Sequence, residues 1–228
     1  MDSFRRFGSV IGEAATIARR SSGWLVFAAI VLTVTYMAAD VLVPPPRLAA
    51  AYGALGFMSL YLELLLTARM LSVSGLADYR FDPRAPTDGR YASAFLLSLM
   101  TVLGIAVGLI LLVIPGLVLL ARWSICFVIL LAERATVSES LNRSWRMTGR
   151  HWRVATLVTT AVILMWLWSF IAAFLLYPDY DPPALGDALL VNVLSGLAWV
   201  GTWLLSVAFY VWMRRADAGQ GELADDRS

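Results

Sequence analysis

Three ionisable residues, Asp40, Glu63 and Arg122, fall inside long apolar stretches of this 228-residue sequence, where a charge is costly and is seldom kept without a task or a partner. A carboxylate or guanidinium at such depth can lock helix packing as a pair, hold a counter-ion, or mark a proton or substrate path. No catalytic constellation accompanies them. The single histidine, His151, stands between Arg150 and Trp152 and reads as a surface residue near headgroups. The single cysteine, Cys126, lies in an apolar run, where a thiol behaves as a small hydrophobe. Asp179, Asp181 and Asp187 gather in the proline-containing stretch 177–187. A calcium site wants roughly six or more oxygens, so an ordinary solvated loop is the reading there. Neither a metal nor a cofactor is expected.

Composition dictates the elements that must hold these residues. Apolar residues make up 60% of the chain and charged ones 15%, against roughly half and a quarter in a soluble domain. The bilayer must be part of the solvent. The expected fold class is all-α, a polytopic integral membrane protein forming a single domain over 1–228. An apolar helix needs about 20 residues to cross the hydrocarbon core, and spans are predicted at about 24–43, 48–71, 92–114, 117–132, 154–177 and 188–213. The N-terminal arginines suggest a signal peptide, but the apolar run after them is too long for one, and it is taken as the first span. As one helix, 92–132 would measure about 60 Å, twice the core's thickness, so it must turn. Pro115-Gly116 supplies the turn, proline fixing φ and glycine accepting the positive φ of a type II corner.

Every basic residue is an arginine, and their placement tests the count of spans, because positive loops stay in the cytoplasm. With the N-terminus inside, the cytoplasmic segments hold Arg5, Arg6, Arg19 and Arg20, then Arg69, Arg80, Arg84 and Arg90. The third loop adds Arg134, Arg143, Arg146, Arg150 and Arg153, and the tail adds Arg214, Arg215 and Arg227. Arg47 alone falls outside, and Arg122 within a span. Six spans with both termini cytoplasmic follow. At helical rise, Arg122 lies about 10 Å and Asp40 about 5 Å below the outer ends of their spans, while Glu63 lies about 12 Å from the cytoplasmic end of its own. The expected pair is therefore Arg122 with Asp40, and Glu63 has no named partner. Gly104-x-x-x-Gly108, and Ala49, Gly53 and Gly56, allow close helix approach.

Two amphipathic helices are expected at the cytoplasmic interface. Over 136–150, Thr136 and Glu139 stand at capping-box spacing and Gly149 is placed as a stop. Val137, Leu141, Ser144, Trp145 and Thr148 share one side, and Glu139, Arg143, Arg146 and Arg150 the other. Phe4 to Arg20 repeats the pattern, and Trp24 and Trp152 follow the two stretches as interfacial anchors. Arg143, Arg146 and Arg150 would face anionic headgroups.

The order Pro115-Gly116, Arg122, Glu133, then Leu141, Arg143, Ser144 and Trp145 resembles the glycerophosphoryl diester phosphodiesterase membrane-domain family. The chain departs from it in lacking a proline after Arg122. The resemblance implies a stand-alone bacterial inner-membrane protein without the catalytic barrel that enzymatic members carry. The preferred reading is a non-enzymatic scaffold or accessory protein that binds anionic lipid headgroups or a partner through its cytoplasmic helices. The second is a small transporter or channel component using Glu63 and Arg122, and a lipid-modifying enzyme is third. Membrane lipids are the expected partners, with a second copy or another membrane protein left open and no nucleic acid.

Overall fold

The computed structural model describes residues 2–76, 89–177 and 183–225. Arg80, Arg84, Asp179, Asp181 and Arg227, used in the topology and loop readings, lie outside the described residues. Eight helices and no strand occur within them: α1 (Asp2–Leu42), α2 (Pro45–Val73), α3 (Tyr91–Leu111), α4 (Val113–Arg122), α5 (Cys126–Ala132), α6 (Val137–Arg150), α7 (Trp152–Leu176) and α8 (Leu185–Asp225). Six segments are long and apolar enough to cross a membrane: α1, α2, α3, α4 joined to α5, α7 and α8. Their outward faces carry large apolar side chains, such as Phe27 (54% exposed), Ile110 (84%) and Phe174 (83%). Water would penalise such a surface and hydrocarbon does not.

The longest pair, α1 and α8, has 41 residues in each helix, about 60 Å at helical rise, and outruns the roughly 30 Å hydrocarbon core. The two run antiparallel. The Thr33 hydroxyl donates to the Asn192 carbonyl at 3.3 Å, and Arg215 pairs with Glu13. The first turns of α1 and the Arg215 part of α8 therefore lie at one end of the bundle. The expected surface helix over 4–20 is not separate from the first span. Val10, Ala14, Ile17, Ser21, Leu25, Ala28 and Leu32 form one buried stripe that passes Trp24 without a break. Before α7 the chain does break, at His151 (φ −116, ψ 34), so the two stretches do not form matching units. Tertiary packing along α8 overrides the local pattern at the first of them.

The α3–α4 hairpin also departs from expectation. The chain reverses at Leu112, in an extended conformation (φ −160, ψ 131), and Pro115 sits in the first turn of α4, where a missing N–H costs little. Among the described residues, the glycines with positive φ are Gly75 and Gly89. Gly116 serves contact instead: a Cβ there would stand 2.5 Å from Leu109 Cγ and 2.7 Å from the Leu109 backbone nitrogen. Gly108 faces it at similar range, and Gly104 is covered by the Trp123 ring, so these glycines bind α3 to α4 and to the residue that follows it, within the chain. Gly53 and Gly56 face open space.

Helix α6 begins with the expected capping box. The Glu139 N–H donates to Thr136 Oγ1 at 3.3 Å, and the Thr136 N–H and hydroxyl donate to the Glu139 carboxylate at 2.8 and 2.9 Å. Those bonds, the backbone one foremost, favour the charged carboxylate and hold its pKa below the ordinary range. A depressed folded value gives stability that is complete above the usual carboxylate pKa and is lost as pH falls through the lower folded one. Amide protection in the first turn of α6 should therefore decline across that acid window in the wild type and stay flat in Glu139→Gln, as hydrogen exchange would register.

Candidate functional site

Between α4 and α5 the helix stops at Trp123–Ile125 with no proline present, and the interruption organises the region that Arg122 occupies. A break among apolar helices frees carbonyls that something must satisfy. The Ser124 hydroxyl donates to the Ala121 carbonyl at 3.0 Å, and the Arg122 carbonyl accepts from Ser144 at 2.6 Å and Thr148 at 3.2 Å. The face that α6 buries is accordingly a stripe of hydroxyls, Ser140, Ser144 and Thr148, flanked by the half-buried Leu141. Trp145, expected on that face, is 43% exposed and lies under the Arg122 guanidinium at 5.2 Å. Gly149 does not stop the helix. It makes room for Arg122, whose Nη1 would come within 2.5 Å of a Cβ at that position.

Arg122 does not pair with Asp40. It donates to the Trp145 carbonyl at 3.4 Å, beside the start of α7, while Asp40 accepts from Tyr177 at 3.2 Å, just beyond the end of α7. The 25 residues of α7 separate these two levels by about 37 Å. Asp40 also accepts from Asn192 at 2.7 Å and from Tyr52, so one carboxylate ties α1 to α2, to the end of α7 and to α8. Neither Asn192 nor the two tyrosines stood out in the sequence, because an isolated hydroxyl or amide in a span has no periodic signature.

The remaining motif residues converge around α6. Glu133 accepts from Arg143 and, at 3.0 Å, from the Tyr210 hydroxyl of α8, so Arg143 is held by an ion pair. Arg146 and Arg150 are exposed, and Arg150 lies near Arg153 and Arg6. His151 stands 3.6 Å from Asp217 and edge-on to the Trp212 ring.

Two cavities flank the α4–α5 segment. One is a groove of about 270 Å³ between α4 and α7, walled by Ile114, Leu117, Val118 and Ile163, studded with Thr156, Thr159 and Thr160, and ended by Arg122, Thr148 and Trp152. The Thr159 hydroxyl is buried and makes no hydrogen bond. The other, about 350 Å³, contains Glu63 with Trp123, Trp199, Trp203 and several hydroxyls. Glu63 and Arg122 thus line different spaces.

Comparison of the chain with family models, with curated proteins and with solved structures finds no match in any of the three. The site's chemistry has to be read from its own residues.

Proposed function

We propose that this chain is a non-enzymatic protein of the bacterial inner membrane that holds an anionic lipid and serves as a scaffold or accessory component there. Both termini are placed on the cytoplasmic side. That orientation rests on the arginines at the Arg215 end of the bundle, where the first turns of α1 meet α8. The α4–α7 groove carries the functional reading. Its apolar walls suit an acyl chain, and Arg122 with the unpartnered Thr159 hydroxyl supplies charge and a hydrogen-bond donor for an anionic headgroup. Exposed Arg146 and Arg150 on α6 extend the basic surface to neighbouring headgroups. The motif over residues 114–152 supports placing the chain beside the glycerophosphoryl diester phosphodiesterase membrane domains.

The test is lipid mass spectrometry on gently purified protein. Wild type should carry a phosphatidylglycerol- or cardiolipin-class lipid, and Arg122→Gln should weaken its retention by about 1 kcal/mol, the scale of one cation near an anionic surface. Arg122→Lys should keep most of it. Equal retention of anionic and zwitterionic lipid by wild type and Arg122→Gln would remove the reading.

A further inference from the structure

We infer that the cavity around Glu63 binds a small organic cation, an ammonium group with apolar substituents. A carboxylate that ionises among apolar helices needs a compensating partner, and among the described residues no arginine forms an ion pair with Glu63. Trp203 lines the same cavity. Around it, Trp123, Trp199, Trp203 and Tyr36 line the space, and ring faces attract cations. The Trp199 and Trp203 rings adjoin, with centroids 5.7 Å apart.

Most of the cavity's hydroxyls add to the carboxylate's preference for a cation. Thr101, Thr202, Ser206 and Ser59 each donate their proton to a carbonyl of their own helix, at 2.9, 2.7, 2.9 and 3.1 Å, and Ser124, in the break, donates to the Ala121 carbonyl of α4. What these groups leave for the cavity is lone pairs. Lone pairs from these five hydroxyls, one carboxylate and several ring faces together favour a cationic guest over an anion, although the lining also holds Ser98 and indole N–H donors. A volume of about 350 Å³, with indole walls, is far larger than a bare metal ion fills and is in the range of small-ligand sites.

This cavity lies across the α4–α5 segment from the Arg122 groove, so the inference stands apart from the lipid reading. It is tested on the full chain in nanodiscs of zwitterionic lipid, by titrating benzyltrimethylammonium against the neutral, similar-sized N,N-dimethylbenzamide and following tryptophan fluorescence. Wild type should bind the ammonium saturably and the amide at least about tenfold more weakly, the loss expected when a desolvated cation–π and charge contact disappears. Glu63→Gln should weaken ammonium binding by a similar factor, and Trp199→Leu by less. If Glu63→Gln does not fold, the two-probe comparison in wild type and Trp199→Leu decides. No saturable ammonium binding in wild type, equal affinity for the amide, or unchanged affinity in a folded Glu63→Gln would each overturn the assignment.

Discussion

Gly116→Leu should loosen the α3–α4 hairpin by about 3 kcal/mol, the upper end of the usual overpacking cost. The reason is the identity of the obstructing atoms. A Cβ at 116 meets the Leu109 backbone nitrogen at 2.7 Å and Leu109 Cγ at 2.5 Å, while Gly108 presses from the same side with the Gly116 Cα 3.0 Å from where its own Cβ would stand. A side-chain end can swing away, but a helix backbone moves only by separating α3 from α4. Gly116→Ala should cost less, about 1 kcal/mol, because a single methyl needs a smaller shift. Gly53→Leu is the control. Nothing stands within 4 Å of a Cβ there, so this variant should stay within about 0.5 kcal/mol of wild type. Unfolding equilibria in mixed micelles of rising sodium dodecyl sulfate measure all three. Equal midpoints for Gly116→Leu and Gly53→Leu would show that the hairpin does not depend on close backbone contact.

Arg90→Ala should destabilise the α5–α6 junction by about 3 kcal/mol, because one charged fork satisfies three main-chain carbonyls at once. The guanidinium donates to the carbonyls of Leu130 at 3.1 Å, Arg134 at 2.7 Å and Ala135 at 2.8 Å. These belong to the end of α5 and the link to α6, where helical partners have run out and where Arg134 adopts a positive φ of 50°. Truncation leaves those oxygens to compete for water at a half-buried site. Arg90→Lys should recover only part of the loss, since an ammonium cannot reproduce a planar fork reaching three acceptors. Hydrogen exchange over 126–140 and the same unfolding titration measure the effect. Full recovery by lysine would mean that charge alone matters there.

Both residues were present in the sequence reading in other roles. Arg90 was counted for topology, as one arginine among many on one side of the chain. Its capping of α5 was hidden, because the carbonyls it meets lie 40 or more positions away. Gly116 is expected to make the turn between α3 and α4, but the chain turns at Leu112 and Gly116 lies inside α4 as a close contact with α3. The capping box at Thr136 and Glu139 was legible in full, since all of its groups lie within four residues. Ser144 and Trp145 are expected on one side of the interfacial helix and within the family motif. Their work, closing a helix break and stacking on Arg122, depends on a break that no local signal announced.

The sequence by itself determined the helical class, the six segments long and apolar enough to cross a membrane, and the reversal near residue 114. Transfer from water to hydrocarbon accumulates residue by residue along a single helix, so span-length greasiness can be summed without knowing the neighbours. Only the tertiary structure decided that α1 is continuous, that Asp40 and Arg122 stand at opposite ends of α7, and that Glu63 shares its cavity with tryptophans. Each of these depends on which helices touch and at what depth. Hydrophobic periodicity leaves that choice open, because several pairings bury the same apolar area, and the short-range fit of glycines, hydroxyls and carbonyls selects among them.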